Sequence, residues 1–556
     1  MMITKSCPFW LSLLFSGSAL CLPSLTAAQD APADSQTLAR EMMKTPVEAG
    51  NPDGKADVSF ADSPEISSAT SLDDTRIQVG AVRISGGSAL PQSAFAEIAD
   101  KYVGQSVDKA GLQELARAIA TEARSKGFIF ASAAIPAQSV DMGIIQVDLN
   151  EGDVDEVRIS GTRNRRVRSI LNRLVGKGAQ RDDVERAILI AGDVPGITIE
   201  KTNYVRDSGR GILIVKASEN RSGGQVRLDN YGTSSTGPLR ARLGLELNGL
   251  LTSDDSVTVN VIGNPVDPTE LVYVSAQYSV GLGNSGTTAS LSAGSGRTEP
   301  GGRRPGFESV GRSSYISGSL TAPIIRSNYA NLFVLAELSY LTVDQDYIAF
   351  GLENDDIVTL TASAWGNVRV AGGRMSGGVS ITRGLGILGA TELNDPLSSR
   401  FDGSGQFTKA NSWLNWTGGI GGDFSLRLAL NAQIASRPLL ASQTIGLGGP
   451  SFGRGYDFSE RVGDNGVLGL AELRHNFDKP LPFINWAQVY GFVDGGYVYD
   501  LRDGLGGSSL YSAGGGVRSG LGDANIAFQV ALPINTARGS SGDKSPHVNF
   551  SVGYDF

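Results

Sequence analysis

The sequence predicts an all-β transmembrane barrel of about sixteen antiparallel strands over residues 221–556, preceded by two small α+β domains. Segments in which apolar and polar residues alternate recur from residue 223 to the C-terminus, with turn residues between them. Two units with the same order of strands and helices lie between residues 77 and 220. Glycine is abundant, with 72 residues in a chain of 556, which favours strands, bulges and turns because glycine weakens helix interiors.

The C-terminal segment 547–556 alternates without a break. Its apolar residues, which all point to one face in a strand, are Val548, Phe550, Val552, Tyr554 and Phe556. Polar residues and a glycine occupy the positions between them. The segment therefore predicts a strand with one lipid face and one lumen face, and Tyr554 and Phe556 form the expected C-terminal signature for membrane insertion.

The same alternation is found in other segments, including 239–248, 425–434 and 525–532. Arginine and glutamate residues in these segments fall on the polar side. A charge on the lipid side near the membrane centre costs roughly 2–4 kcal/mol, so these charges are expected to face a lumen. A soluble β-sandwich or propeller would also alternate, but the number and length of the apolar faces favour a membrane barrel.

The N-terminus has the features of a secretory signal peptide over residues 1–28. Lys5 supplies a positive charge, an apolar run follows from 9 to 25, and small residues precede the expected cleavage site. Both cysteines, Cys7 and Cys21, fall inside it, so the mature chain is expected to form no disulfide and to contain no thiol nucleophile. A net charge of -9 without a basic face predicts no nucleic-acid binding.

The region before the barrel is predicted to form two domains, at 77–152 and 153–220, because it contains an internal repeat of about 75 residues. Each unit begins with a strand that carries the string Val-Arg-Ile-Ser-Gly, at 82–86 and at 157–161. The second helix of the first unit has apolar residues spaced by three and four positions, as in an amphipathic helix. These residues are Leu112, Leu115, Ala116, Ile119 and Ala123.

Residues 29–76 are rich in Asp, Ser, Ala and Pro, a composition typical of a linker or a disordered tail. One short helix is expected from 35 to 44, with Leu38, Met42 and Met43 on one side.

Several short motifs in the two domains and at the start of the barrel carry a resemblance to one known family. Residues 122–128 (EARSKGF) and 149–152 (LNEG) lie in the first domain, 193–197 (DVPGI) in the second, and 220–224 (NRSGG) and 229–232 (DNYG) at the first barrel strand. The two domains resemble POTRA (polypeptide-transport-associated) domains. The whole mature chain resembles the transporters of two-partner secretion, the haemolysin secretion and activation family (ShlB, FhaC and HecB type), which exports haemolysins and filamentous-haemagglutinin-type adhesins.

Two further motifs lie in the barrel. The loop 443–465 carries the loop-tip motif Gly453, Arg454, Gly455 and Tyr456, and a later strand carries the barrel-wall motif Phe492, Asp494 and Gly496. In the superfamily that the chain resembles, this tip folds back into the lumen, so the resemblance implies that Arg454 pairs with Asp494. Removal of one partner of a buried ion pair strands the other charge. Gly453 departs from the family pattern, which often has Val there.

The resemblance implies a protein translocase of the bacterial outer membrane with its POTRA domains in the periplasm. These domains would capture an unfolded exoprotein that carries an N-terminal secretion domain, and the barrel pore would secrete it. Exposed strand edges accept a client strand through backbone hydrogen bonds, and the segment with Phe128, Phe130 and Ile135 is the expected edge or groove. The loop 443–465 is expected to block the resting pore; the helix 35–44 is either a second plug or an inert linker.

The other expected partners are the lipid bilayer of the outer membrane and the barrel-assembly machinery that inserts the protein itself. Two other functions stay open at this point. An outer-membrane assembly or insertion factor shares the domain type and the barrel motifs but usually carries more POTRA repeats. A passive porin has no reason to carry residues 77–220.

The sequence predicts no enzyme, no cofactor and no metal site. The string at 449–453 matches a nucleophile elbow but is not followed by a predicted helix. The string at 281–286 matches a dinucleotide fingerprint but lies between strands. His475 and His547 are far apart in sequence and do not suggest a metal site.

Overall fold

The computed structural model describes residues 36, 58–60, 76–87, 89–136, 138, 140–176, 179–233, 236–300, 309–347, 351–501 and 506–556. The expected signal peptide lies outside these residues. So do the linker expected at 29–76 and the helix expected at 35–44, apart from Gln36, Val58–Phe60 and Arg76. Within these ranges, no helix has the length and apolar character needed to cross a membrane.

The first strand along the chain, β1 (Val58–Phe60), lies in the segment expected to be a linker. It joins the sheet of the second domain in a parallel orientation. Its residues pair in the register Val58 with Thr202, Ser59 with Asn203 and Phe60 with Tyr204. The composition of the linker did not predict this strand, because three residues are too few to carry a detectable period.

The first domain is an α+β unit. Its elements are β2 (Ile77–Gln78), β3 (Ala81–Ser85), a 3₁₀ turn (Gln92–Phe95), α1 (Ala96–Tyr102), β4 (Ser106–Val107), α2 (Lys109–Ser125), β5 (Ser132–Ala134), a 3₁₀ turn (Asp141–Gly143) and β6 (Ile144–Asn150). In the main sheet, β6 lies between β3 and β5. The carboxylate of Asp108 caps α2 by accepting a hydrogen bond from the backbone N–H of Gly111 at 2.9 Å. Leu115 and Ile119 of α2 are buried in the domain core.

The second domain repeats the order of β3, α1, α2, β5 and β6. Its elements are β7 (Glu156–Ser160), α3 (Arg165–Leu171), a 3₁₀ turn (Asn172–Leu174), α4 (Arg181–Gly192), β8 (Ile197–Asp207) and β9 (Arg210–Glu219). The sheet order is β1-β8-β9-β7. Asn164 caps α3, since its side chain accepts a hydrogen bond from the backbone N–H of Arg166 at 2.9 Å. Leu171, Ile188 and Leu213 are buried in the core of this domain.

Sixteen antiparallel strands form a closed barrel, which confirms the predicted fold class. The barrel strands are β10 (Ser222–Asp229), β11 (Arg240–Asn248), β12 (Asp255–Gly263), β13 (Leu271–Leu282), β14 (Thr287–Thr298), β15 (Ser309–Arg326), β16 (Ala330–Tyr347), β17 (Gly351–Val370), β18 (Gly373–Leu385), β19 (Thr408–Gly421), β20 (Phe424–Ala435), β23 (Asn465–Leu481), β24 (Ile484–Tyr499), β25 (Gly507–Leu521), β26 (Ala524–Pro533) and β27 (His547–Asp555). Two short strands, β21 (Ile445–Leu447) and β22 (Arg461–Gly463), lie in the connection between β20 and β23. The barrel closes where β10 pairs with β27.

The outside of the barrel is apolar and its inside is polar, as the alternation predicted. In β11, Leu243 and Leu245 are exposed on the outer surface. In β27, Val548 and Val552 are exposed, whereas Asn549 between them is buried. The exposed apolar side chains form the surface that lipid covers, because successive side chains of a strand point to opposite faces.

The second domain packs against one end of the barrel. Arg326, at the end of β15, donates from Nη2 to Asp193 Oδ1 at 2.6 Å and from Nε to Asp193 Oδ2 at 2.9 Å. Arg166 of α3 is 3.2 Å from Asp254 in the turn between β11 and β12. Arg186 of α4 donates to a backbone carbonyl of β15 at 2.8 Å. These charged contacts attach both helices of the domain to the same end of the barrel.

Candidate functional site: the inward loop and the barrel wall

The connection between β20 and β23 starts at the barrel end opposite the second domain and folds into the lumen. There, β21 and β22 pair as a short antiparallel hairpin. Side chains of this loop and of the wall form one buried apolar cluster, which consists of Ile445, Leu447, Tyr456, Leu468, Val498 and Leu510. The loop is therefore a packed part of the interior, held by apolar contacts in addition to polar ones.

Two glycines let the tip of this loop lie directly on the wall. At Gly455, a Cβ atom would lie 2.8 Å from the backbone nitrogen of Pro533 and 2.9 Å from the carbonyl carbon of Leu532 in β26. Gly453 has a φ of 77°, in the left-handed region that residues with a Cβ rarely adopt. A glycine at 453, where the resembled family often has Val, fits this backbone conformation.

The guanidinium of Arg454 is buried in the lumen, with 3% of the side chain exposed. Its Nη1 is 2.7 Å from Oε2 of Glu472 and 3.2 Å from Oε1 of Gln529. Its central carbon lies 4.3 Å from the ring centroid of Phe492, which is a cation–π distance. Its Nε is 3.3 Å from Oδ2 of Asp494. Arg454 thus contacts the expected aspartate and also a glutamate outside the expected motif.

Glu472 is a fully buried carboxylate that binds three arginines. Besides Arg454, it accepts hydrogen bonds from Nε of Arg474 at 2.8 Å and from Nη1 of Arg518 at 3.1 Å. Sequence reasoning missed this residue because it considered only the motif in the following strand. The alternation of β23 contained a signal, since the neighbouring Leu473 is exposed on the outer face. A carboxylate on the lumen side, directly after an inward loop, is a candidate partner for a loop arginine.

Asp494 mainly holds the backbone of the tip. Its Oδ1 accepts the backbone N–H of Arg454 at 3.3 Å, and the hydroxyl of Ser512 donates to the same oxygen. Nearby, Gly496 allows strands to approach, because a Cβ there would lie 2.4 Å from the carbonyl oxygen of Val467. One carboxylate therefore fixes the arginine side chain, and another fixes its main chain.

Tyr456, the last residue of the tip motif, connects the loop to the outer rim of the barrel. Its hydroxyl is 3.0 Å from Oδ1 of Asn535 and 3.2 Å from the carbonyl oxygen of Thr536, both in the connection between β26 and β27. Its ring has no exposed surface. The Tyr456 side chain thus anchors the inward loop at a second point.

A second loop, 386–407 between β18 and β19, is coupled to the first by charge. The guanidinium of Arg400 is 2.9 Å from Asp464, a fully buried residue at the end of the loop 443–465. Phe407 of the second loop packs in a buried cluster with Leu440. Motion of either loop therefore has to break contacts with the other.

Asp355 of β17 is a buried lumen carboxylate where three segments meet. Its Oδ2 accepts a hydrogen bond from the hydroxyl of Ser399 in the second loop at 2.5 Å. The same oxygen accepts a hydrogen bond from Nε2 of Gln36 at 3.2 Å. Gln36 is the described residue of the segment 35–44, and this contact places it inside the barrel.

The residues expected at a client-binding edge lie mostly inside the protein. Phe128 is buried in the first domain, and the ring of Phe130 stacks on Tyr204 of the second domain with centroids 3.9 Å apart. Burial raises the pKa of Tyr204, and its neutral hydroxyl donates to the carbonyl of Asp153 at 3.0 Å. Within the segment from Phe128 to Ile135, the strand is limited to β5. The ring of Phe130 therefore contributes to the contact between the two domains.

The sequence matches two known family models and several known transporters. The family described as haemolysin secretion/activation protein ShlB/FhaC/HecB matches residues 209–519, which is more than half of the chain. The POTRA domain of ShlB type matches residues 77–152. The heme/hemopexin transporter protein HuxB of Haemophilus influenzae (strain 86-028NP) is 25% identical over 459 residues, which cover 79% of this chain and 80% of HuxB. The outer membrane transporter CdiB of Dickeya dadantii (strain 3937) is 22% identical over 382 residues, which cover 67% of this chain and 68% of CdiB.

Solved structures agree on the fold. CdiB from Escherichia coli superposes with a TM-score of 0.71 at 19% identity, covering 94% of this chain and 96% of CdiB. BamA from Haemophilus ducreyi lacking POTRA domains 1–3 superposes with a TM-score of 0.50 at 16% identity, covering 86% of this chain and 100% of that one. The chain belongs to the haemolysin secretion/activation (ShlB/FhaC/HecB) family and is an outer-membrane transporter of two-partner secretion, with its POTRA domains in the periplasm.

Proposed function

We propose that this transporter captures an unfolded exoprotein through its POTRA domains and passes it through the barrel lumen, with the loop 443–465 as the movable block of the pore. The observation that carries the proposal is the buried contact between Arg454 and Glu472, 2.7 Å long, which fixes this loop in the space that a client must cross. A client segment and the packed loop cannot occupy the same lumen. The contact therefore opens during secretion and re-forms afterwards.

A charged contact suits a block that has to open. When the tip leaves the wall, water in the lumen can solvate Arg454, Glu472 and Asp494, and this solvation offsets much of the lost attraction. Substitution of one partner differs, because it leaves the remaining charges uncompensated while the loop is still seated. The pair can thus be strong in the closed state without making opening prohibitive.

Within the part of the chain that the structure describes, the first domain has a sheet edge that no further strand covers. In the sheet order β3-β6-β5, the short strand β5 lies at the end. Backbone pairing at such an edge tolerates many client sequences. Phe128 and Phe130 are buried, so the contribution of this segment falls to the backbone of β5 and to the half-buried Ile135.

The segment 35–44 is proposed as a second block of the lumen. The support is the hydrogen bond from Gln36 to Asp355, which joins the N-terminal segment to the lumen wall. Ser399 of the second inward loop donates to the same carboxylate oxygen of Asp355. Release of the N-terminal segment and motion of the second inward loop therefore both change the hydrogen bonds of Asp355.

The proposal requires no catalytic step, no cofactor and no nucleic acid. Folding of the client outside the cell supplies the driving force. The barrel-assembly machinery is the proposed partner for the transporter's own insertion, which is supported by the exposed Tyr554 and Phe556 at the C-terminus.

The family assignment and the relatives favour secretion over the other functions considered. They lend no support to an assembly or insertion factor. A passive porin needs an open lumen, whereas two loops of this chain pack into the lumen. A porin also has no need of a domain attached to the barrel end through the pair of Arg326 and Asp193.

The test is the Arg454→Ala variant, assayed for secretion of the transporter's exoprotein. We expect secretion to fall by about tenfold or more, because the proposed cycle needs the contact to re-form after each opening, and without Arg454 the buried carboxylates of the wall stay uncompensated. The barrel should remain inserted, as measured by its heat-dependent mobility on gels. The matched control is Arg383→Ala, since Arg383 binds Thr408 outside the loop. Unchanged secretion in Arg454→Ala would contradict the role of the loop tip.

A further inference from the structure

We propose that the lumen wall made by the barrel strands from β17 to β25 is a basic entry surface that binds acidic segments of the unfolded exoprotein. The inference rests on the proposed function, because it names the chemistry of the client segments that this surface accepts. Each arginine of the surface lies nearer to the periplasmic end of its strand than to the other end. Two carboxylates, Glu472 and Asp478, share this part of the wall. The arginines outnumber them, and they are Arg369, Arg374, Arg427, Arg474 and Arg518.

The alternation of the strands directs these arginines into the lumen. Val379 in β18 and Leu428 in β20 are exposed on the outer surface of the barrel. Arg374 and Arg427 are an odd number of residues away from them in the same strands, so they point to the inner face. Arg369 lies directly opposite Arg374 in the paired strand β17 and shares its face. The guanidinium groups therefore meet water and client, and lipid does not reach them.

Arg369 and Arg374 place two positive charges side by side at the periplasmic mouth of the lumen. Like charges in directly opposite positions destabilise a sheet. Arg369 is exposed, and among the residues that the structure describes no carboxylate forms an ion pair with it. An anionic group bound at this pair removes the repulsion.

Arg427 is a half-buried cation that the wall leaves without an ion pair in the described part of the chain. It lies directly opposite Glu472, but three other arginines bind the two carboxylate oxygens of that residue. The guanidinium of Arg427 donates instead to Oδ1 of Asn415 at 3.3 Å, which is a neutral acceptor. The same three arginines repel its charge. An incoming carboxylate supplies the charge-assisted hydrogen bonds that Asn415 cannot give.

An exposed indole lies further along the same wall. Trp413 of β19 is 39% exposed and pairs with Asn431, four residues beyond Arg427 in β20. The adjacent Leu414 is exposed on the outer face, so Trp413 faces the lumen. Its ring lies over Gly378, where a Cβ atom would be 2.7 Å from Nε1 of Trp413. An indole open to water next to guanidinium groups fits a polypeptide, which carries apolar and charged side chains, better than a small anion.

The basic wall begins where the described contacts of the second domain end. This domain touches the turns that join β11 to β12, β13 to β14 and β15 to β16, through Asp254, Asn284 and Asn328. The next periplasmic turn around the barrel joins β17 to β18 and carries the pair of Arg369 and Arg374 beside it. A charged wall at the mouth of a cleft attracts segments of opposite charge. A client that leaves the second domain therefore meets these arginines as it enters the lumen.

The first experiment needs no client. The probe is fluorescein-labelled decaglutamate, and fluorescence anisotropy measures its binding to the full-length transporter in detergent at low ionic strength. We expect Arg369→Gln with Arg427→Gln to raise the Kd by about fivefold or more, because two contacts with carboxylates are lost. A neutral Gly-Ser peptide of the same length should bind about fivefold more weakly than decaglutamate.

The matched control is Arg297→Gln with Arg312→Gln. These two arginines also lie directly opposite each other, but on the outer face, which exposes Leu291 and Ile316 of the same strands. The control should leave the Kd unchanged. An unchanged Kd in the lumen variant, or an equal rise in both variants, would overturn the lumen site.

The second experiment tests the role of the site in transport. Arg369→Gln with Arg427→Gln should lower secretion of the transporter's exoprotein by about fivefold, with the barrel still inserted as judged by heat-dependent mobility on gels. Arg369→Lys with Arg427→Lys keeps the positive charges and should retain about half of the secretion or more. Equal secretion from the glutamine and lysine variants would refute an electrostatic role of the wall.

The two proposals can fail separately. If Arg454→Ala leaves secretion unchanged while the glutamine variant lowers it, the role of the loop fails and the entry surface stands. If the glutamine variant binds decaglutamate more weakly but secretes normally, the wall binds anions and the client does not use it.

Discussion

Two carboxylates share one arginine at the loop tip, and they bind different parts of it. Glu472 is 2.7 Å from Nη1 of Arg454 and has no exposed surface. Asp494 accepts the backbone N–H of Arg454 at 3.3 Å and lies at the same distance from Nε. The closer side-chain contact belongs to Glu472, which also binds Arg474 and Arg518. Glu472 should therefore contribute more to the charge coupling than the aspartate of the recognised motif.

A double-mutant cycle can test this ranking. We expect Glu472→Gln to destabilise the seated loop by about 3–5 kcal/mol, because it leaves three arginines without their shared carboxylate. The coupling free energy between Arg454→Ala and Glu472→Gln should exceed that between Arg454→Ala and Asp494→Asn, as measured by urea unfolding of the barrel in lipid vesicles. Glu337→Gln, at a lumen position in β16, is the matched control. Coupling to Asp494 that equals or exceeds the coupling to Glu472 would contradict the ranking.

At the scale of residues, the sequence predicted the site residues that belong to a recognisable motif and missed those that do not. The tip motif and its aspartate were found as strings, and the structure places Arg454 and Asp494 next to each other. Glu472 belongs to no string, and its partner set depends on a loop whose path the sequence does not specify. Phe130 was predicted to lie at a client-binding edge or groove, and its stacking on Tyr204 was not predicted, because an aromatic residue alone does not reveal which surface it will cover.

At the level of elements, strand alternation predicted the barrel strands well, because lipid on one side and water on the other impose a period of two over many residues. The short strands β1, β21 and β22 were not predicted. Each has 3 residues. β1 pairs with a strand distant in sequence, and β21 and β22 pair with each other inside the inward loop. Contacts between elements, such as those that attach the second domain to the barrel, were equally outside the reach of local patterns.

The attachment of the second domain depends strongly on one pair. The side chain of Arg326 is 1% exposed and that of Asp193 is 14% exposed. Arg326→Ala should therefore loosen the domain by about 3–5 kcal/mol, as expected when one partner of a buried pair is removed. The contact between Asn164 and the backbone of Ser253 at 2.6 Å reports the docked state.

Disulfide formation between cysteines at 164 and 253 measures this docking. We expect Arg326→Ala to slow it by about tenfold. Arg158→Ala should have little effect, since the pair of Arg158 and Glu156 is exposed and solvent weakens the attraction between exposed charges. An equal effect of the two substitutions would mean that the buried pair does not hold the domain.

At the scale of the whole molecule, the domain proposed to capture the client and the loop proposed to gate the pore make separate contacts. The first domain meets the second through the stacked Phe130 and Tyr204 and through Arg206, which donates to Asn150 at 2.6 Å. The contacts described for the loop tip all lie within the barrel, and those that hold the second domain to the barrel involve the helices α3 and α4 and Asp193. Removal of the first domain should therefore leave the gate and the docking of the second domain in place.

Deletion of residues 77–152, which removes the first domain, tests this separation. We expect exoprotein secretion to fall by about tenfold or more, because a capture edge is lost, while membrane insertion and single-channel conductance stay as in the full-length protein. Tyr204→Ala in the full-length chain is the control for loss of the interdomain stack, which should weaken secretion less than the deletion does. Because the pore contacts do not involve the first domain, a large rise in conductance on deletion would contradict the separation of the two roles. Normal secretion from the deleted protein would instead remove the first domain from the capture step.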